Sequence, residues 1–227
     1  MELQTQNNGS HFIKDVIIGI SDGLTVPFAL TAGMSGVIST NHLIIIAGIA
    51  EIAAGCISMG LGGYLAGESE HDNYRAHEQN EYHEVEVMPE SELKEVEDAF
   101  LIMGVDEKLS KEVALQISRD KDRWVEFMMK FEIGLEKPVK NRARKSGLNI
   151  AGSYLVGGFI PLFPYFIAPD NKSGLFWSCV VTILALFVFG YFKSKVTGQP
   201  LLLGTLKVTG IGIIAAGAAY LIAKAVV

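Results

Sequence analysis

Hydrophobic and polar residues alternate along this chain in whole segments rather than in single steps. Five apolar stretches, Val16–Ile38, His42–Ala66, Leu148–Ala168, Gly174–Phe192 and Leu201–Ala223, each approach or exceed the roughly 20 mostly apolar residues that a bilayer-spanning helix needs. They lack the period-2 alternation of membrane β-barrel strands. The first stretch is too long for a signal-peptide core and has no A-x-A-type cleavage site, so it is expected to remain as a signal anchor. Between the second and third stretches the character reverses. Residues 67–146 hold 20 Asp/Glu and 13 Lys/Arg, whereas the other 147 residues share 11 charges. The pattern predicts an all-α protein: a five-span transmembrane helical bundle with spans 1–2 in residues 1–66 and spans 3–5 in 147–227. A small three-to-four-helix insert, 67–146, separates spans 2 and 3.

Within the insert, a first helix of about Glu68–Val87 continues straight out of the second span until Pro89 breaks it. Ser91 then opens a helix over Glu92–Met103 that ends at Gly104. A short helix around Lys108–Arg119 and a last one over Asp122–Leu135, stopping before Pro138, complete it. A domain of 80 residues has little core of its own, so it is expected to lean on a partner copy or a bound metal. In the spans, Gly19 with Gly23, Ala50 with Ala54, and Gly157 with Gly158 allow close helix contact. Pro27, Pro161 and Pro164 are expected to kink their helices.

Composition and charge narrow the class. Hydrophobic residues make up 49% of the chain and mean hydropathy is +0.31, which excludes a disordered chain. The segregated charge excludes an ordinary soluble globule. A net charge of −6, with no basic cluster interleaved with aromatics, excludes nucleic acid as a partner. Cys56 and Cys179 both lie in apolar runs and form neither a CxxC pair nor a disulfide framework. Lys14, the cluster Lys137, Lys140, Arg142, Arg144 and Lys145, and the pair Lys193 and Lys195 all fall on one side of the predicted topology. The positive-inside bias therefore assigns the N-terminus, the 67–146 insert and the 193–199 turn to the cytosol of a multi-pass membrane protein.

Several residues then stand out chemically. Glu81 and Glu84 are three apart, as are Glu92 and Glu95, so each pair shares a helix face, where like charges repel unless a cation lies between them. The alternative is a solvated acidic face. His77 shares the stripe of Glu81. Met128 and Met129 precede Glu132 by about one turn; thioethers beside a carboxylate favour a transition metal over Ca²⁺ or Mg²⁺, although paired methionines also serve as core filler. His77-Glu-Gln-Asn-Glu81 lacks the second histidine of a zinc-protease motif, and Glu68-x-x-His71 is only one of the two ExxH copies a di-iron bundle uses. In the spans, Asp22 and Glu51 are ionisable residues at a cost of roughly 2.5–3.5 kcal/mol each on insertion scales, which marks them as functional unless they form a buried structural pair. Met59 lies about two turns after Glu51 on the same side, and Lys207 is placed to snorkel.

These residues belong to longer stretches: Asp22-Gly-Leu-Thr-Val-Pro-Phe-Ala-Leu30, Glu51 with Met59-Gly60, Phe127-Met-Met-Lys-Phe-Glu132-Ile-Gly-Leu-Glu-Lys-Pro138, and Gly157-Gly-Phe-Ile-Pro-Leu-Phe-Pro164. Through them the chain resembles, over almost its whole length, the vacuolar iron transporter family, related to yeast calcium-cross-complementing and nodulin-like transporters. The resemblance implies a homodimer with its ion path at the dimer interface, exporting Fe²⁺ from the cytosol in exchange for protons, and no prosthetic group. It implies a membrane metal site at Asp22 and Met59 with Glu51 nearby. It also implies a cytosolic metal-binding domain using Glu81, Glu84, Glu92, Glu95, Met128, Met129 and Glu132. His71, His77 and His83 are additions to that pattern. The membrane would be vacuolar-type in a eukaryote and the inner or plasma membrane in a prokaryote.

The expectation is thus a secondary transporter of Fe²⁺, with Mn²⁺ and Zn²⁺ as alternatives, in which Asp22 and Glu51 couple metal to protons. A membrane-anchored metal sensor or buffer would use the glutamates but not Asp22 or Glu51. A passive divalent-metal channel could use all of them. An oxidase would need the missing ExxH.

Overall fold

The computed structural model describes residues 2–226, with side chains from Ser10 onward. Met1 and Val227, which belong to the first and last predicted segments, lie outside the described residues. Eight helices follow in order: α1 (Glu2–Ser35), α2 (Asn41–Val87), α3 (Pro89–Ile102), α4 (Glu107–Ile117), α5 (Lys121–Phe131), α6 (Arg142–Ile167), α7 (Asn171–Val196) and α8 (Leu201–Val226). No strand occurs among the described residues. Five helices, α1 from Ser10, α2, α6, α7 and α8, are long and apolar enough to cross a membrane. The all-α, five-span expectation therefore holds. The chain divides into two compact units, residues 1–65 with 143–227, and residues 66–142.

The first unit is apolar outside and closely packed inside. Large side chains such as Phe163, Trp177 and Leu202 are 61%, 55% and 75% exposed, as a surface solvated by lipid requires. Where α1 meets α6 the backbones touch. A β-carbon at Gly19 would lie 2.5 Å from the Ile150 carbonyl oxygen, and one at Gly23 2.9 Å from the Tyr154 Cα. Gly157 returns the fit, with Ile20 O at 3.1 Å from its ideal β-carbon. Ala50 and Ala54, by contrast, face outward on α2. Pro27, Pro161 and Pro164 sit inside unbroken helices. At one end of the bundle two asparagines tie its turns together. Asn41 Nδ2 donates to the Ala168 carbonyl at 2.9 Å, and Asn171 Nδ2 donates to the carbonyls of Ser35, at 3.0 Å, and Ile38.

The second unit is built from α3, α4, α5 and the last part of α2. Its core gathers Tyr74, Val85, Val96, Ala114, Trp124, Val125, Met128 and Met129. α3 begins at Pro89 rather than after it, because proline's fixed φ and missing N–H suit the first helical position. Asp106 and Asp120 cap α4 and α5, each accepting two backbone N–H groups. α5 stops at Phe131, short of the expected Leu135. Gly134 adopts φ +74°, and the Ile133 and Leu135 amides fold back onto the Met128 and Met129 carbonyls.

Candidate functional site

Each of three helices places a carboxylate next to its buried core residues. On α2, Glu81 precedes buried Val85 by one turn; on α3, Glu92 precedes buried Val96; and Glu132 follows buried Met128 as the C-cap of α5. One oxygen from each of Glu81, Glu92 and Glu132 lies within 4.8 Å of the others. Glu81 and Glu92 are each 3% exposed, and the Oε2 of both is buried with no hydrogen-bond partner. Glu132 stands at the rim, open to solvent. Along the sequence of α2, Glu81 follows the apolar part. At 1.5 Å per residue a helix of 47 residues is about 70 Å long, over twice the ~30 Å hydrocarbon core, and its apolar part ends near Ala66.

Burial, and after it crowding by like charges, raises the proton affinity of all three. Burial pushes the Glu81 carboxyl up to about 7, and the charges of Glu92, Glu84 and Glu95 add to it. Glu132 is likewise pushed up to about 7, by burial first and then by Glu95 and Glu81. Burial, Glu95 and Glu84 raise Glu92. Glu84 lies in hydrogen-bonding reach of Glu81, and Glu95 of Glu132, so the predicted glutamates of the insert meet in one cluster. Enclosed oxygens of this kind, at this spacing and with unspent lone pairs, fit a divalent cation. Met128 and Met129 are each 1% exposed within the hydrophobic core, on the helix that ends at Glu132. At the other end of α5, Tyr82 donates its hydroxyl to Asp122 Oδ1 at 2.8 Å, which pushes the phenol up to about 12. Lys121 pairs with Glu86 and lies 5.3 Å over the Tyr82 ring. This clasp fastens the start of α5 to α2. Glu68 and His71 are exposed, as is His83; His77 is half-buried.

In the first unit, Asp22, Glu51 and Met59 are all half-buried. Glu51 has a partner that the sequence did not disclose. Tyr154 of α6, 2% exposed, donates its hydroxyl to Glu51 Oε1 at 2.5 Å, while Glu51 Oε2 is buried and unbonded. Asp22 lies within electrostatic reach of the same hydroxyl. A second undisclosed residue is Asp15, 2% exposed, which accepts from Ser146 Oγ at 3.0 Å and Asn149 Nδ2 at 3.4 Å. It sits one residue before the apolar run, where a flanking charge reads as solvated. Its spacing of seven from Asp22, two helical turns, was the available signal.

The model of the VIT family matches residues 13–224. The chain belongs to the VIT family. This VIT-family chain is 48% identical over 214 residues to vacuolar iron transporter 1 of Tulipa gesneriana, covering 94% of this chain and 87% of that relative. It is 45% identical over 214 residues to vacuolar iron transporter 1 of Arabidopsis thaliana, covering 94% and 86%. It is 40% identical over 222 residues to protein CCC1 of Saccharomyces cerevisiae, covering 93% and 68%. VIT-family proteins are transporters rather than enzymes. The VIT-family chain thus carries two sets of acids: one gathered among α2, α3 and α5, the other distributed over the spans of α1 and α2.

Proposed function

We propose that this protein carries Fe²⁺ out of the cytosol across a vacuolar-type or plasma membrane in exchange for protons, with Mn²⁺ and Zn²⁺ as alternative cargo. The observation that carries the reading is the Glu81, Glu92 and Glu132 cluster, in which Glu81 and Glu92 keep buried, unbonded oxygens, in a chain that also holds Asp22, Glu51 and Met59 in apolar helices. The iron transporters and CCC1 among its relatives support iron as the cargo class.

Transport begins with capture. In the acidic unit, carboxylates with proton affinities near neutral exchange protons for a hydrated ion and replace part of its water shell. Glu84 and Glu95 assist, and Met128 and Met129 add soft, polarizable surroundings. The ion then passes to Asp22 and Met59, where a charge and a thioether together favour a transition metal over Mg²⁺. Protons on Asp22 or Glu51 compete for the same oxygens, and each ligand weakens the other by the same factor. An acidic far side therefore releases metal and returns protons. In this reading residues 67–146 face the cytosol with the N-terminus, consistent with the basic cluster around Lys137–Lys145. The working form is a homodimer, in which the outward face of α2 around Ala50 and Ala54 would be covered.

The test is Fe²⁺ uptake into proteoliposomes with and without a pH gradient, recording metal and pH dyes together. Metal flux accompanied by proton counterflow is expected. Flux without proton movement at clamped membrane potential would leave a passive channel instead. Metal binding without flux would leave a membrane-anchored buffer.

A further inference from the structure

Glu51 is held by only one of its two oxygens. The Tyr154 hydroxyl donates to Oε1 at 2.5 Å, while Oε2 is enclosed without a partner. The tyrosine itself is fixed from both sides. Its backbone lies against Gly23, the neighbour of Asp22, where a β-carbon would come within 2.9 Å of Tyr154 Cα. Its ring lies against Gly55, one turn after Glu51, where a β-carbon would come within 2.6 Å of ring Cε1. Two glycines, on α1 and α2, thus make room for one tyrosine of α6, whose hydroxyl ends on Glu51, the only carboxylate in the apolar part of α2, residues 42–66. Such a contact does more than solvate a charge. It fixes the rotation of the carboxylate and occupies one oxygen.

We propose that Tyr154 is a positioning residue for transport: it holds Glu51 so that Oε2 alone is presented to the passing metal ion or proton. The proposal rests on the transport reading above and deepens it. With Tyr154 in place, Glu51 binds through one oxygen and its geometry is set before the ion arrives, so little ordering remains to be done on binding. Without the hydroxyl, Glu51 rotates freely and the ion must order it.

The test uses the full-length protein in proteoliposomes, with Tyr154→Phe, Glu51→Gln and the double variant. Tyr154→Phe keeps the ring that fills the space beside Gly55, so thermal midpoint and monodispersity should match the parent. KM for Fe²⁺ should rise about tenfold, the usual order for a lost hydrogen bond to a charged group, with maximal flux within about twofold. In the Glu51→Gln background, Tyr154→Phe should change KM by less than about twofold, because its effect runs through Glu51. Equal effects of Tyr154→Phe in both backgrounds would overturn the proposal and leave a packing role. A second arm does not depend on transport: the infrared carboxylate bands lost in Glu51→Gln should shift in Tyr154→Phe, and unshifted bands overturn the proposal whatever the flux. A parent protein that carries no Fe²⁺ overturns the transport reading, whereas a parent that does, with an unchanged KM in Tyr154→Phe, overturns only the role of Tyr154.

Discussion

The two units of this protein treat buried acid in opposite ways. In the membrane unit two acids meet their own donors: Asp15 takes Ser146 and Asn149, and Glu51 takes Tyr154. In the acidic unit, Glu81, Glu92 and Glu132 are brought to within 4.8 Å of one another, beside core residues where burial already disfavours charge. Donated hydrogen bonds steady a single charge at the place where it stands. Carboxylates pressed together instead leave their repulsion to be met by protons or a cation, which makes the cluster responsive to both. The first arrangement suits a relay that must hold geometry while ions pass. The second suits a collector that must gain affinity when an ion arrives.

The largest expected effect removes the relay. Asp22→Asn keeps the shape but cannot change charge, so it should cut Fe²⁺ flux on the order of 100-fold or more and abolish proton counterflow, recorded with metal and pH dyes in proteoliposomes. Robust flux through this variant would break the distinction between relay and collector.

Next comes the collector. Replacing Glu81, Glu92 and Glu132 together with Gln in the full chain should weaken the metal binding seen by calorimetry roughly 100-fold. It should slow transport without abolishing it, and the metal-free protein should become more resistant to heat because the repulsion is gone. A metal-free variant less stable than the parent would mean that the acids are structural.

The pH response sharpens the contrast further. Glu81 and Glu132 have folded values near 7, above the ordinary 4.5, so the metal-free acidic unit binds more protons folded than unfolded between those pH values. Their contribution to stability is therefore fully present below about pH 4.5 and is lost as pH rises through about 7. Metal affinity should move the other way, tightening over the same range as protons leave. Urea midpoints from pH 5 to 8, with and without Zn²⁺, test both signs. Equal slopes in the two series would dismiss the cluster as the metal site.

The smallest effect probes the one thioether proposed for the relay. Met59→Leu preserves volume and apolarity, so expression should persist while the preference for Fe²⁺ over Mg²⁺ falls by severalfold in competition assays. An unchanged preference would assign selectivity to the carboxylates alone.

Much of this was legible in the sequence because it is written in local periodicity. Five apolar runs announce the spans, and the 81/84 and 92/95 spacings announce faces that end up in one cluster. What stayed hidden depends on contacts across the chain. Tyr154 reads as one more aromatic in a hydrophobic run, since nothing local says that it reaches a residue 103 positions away. Asp15 reads as a flanking charge until Ser146 and Asn149 of α6 are seen to bond it. An end of α5 at Leu135, the stop that Pro138 implies, is too late: Gly134, with its left-handed backbone, turns the chain just after Glu132 and fixes where that carboxylate stands.

The core of the acidic unit also supplies an optical handle. The chain has two tryptophans. Trp124 is 6% exposed, packed beside Met128 and Met129 with an indole N–H that meets no acceptor, whereas Trp177 is 55% exposed on α7. An indole so enclosed emits toward the blue, and any loosening or tightening of α5 alters its intensity. Replacing Trp177 by phenylalanine would leave a protein with a single tryptophan, excited selectively over the tyrosines and placed in the acidic unit. Arrival of an ion there could then be timed by stopped flow in the intact transporter, with no dye attached and apart from any passage through the spans.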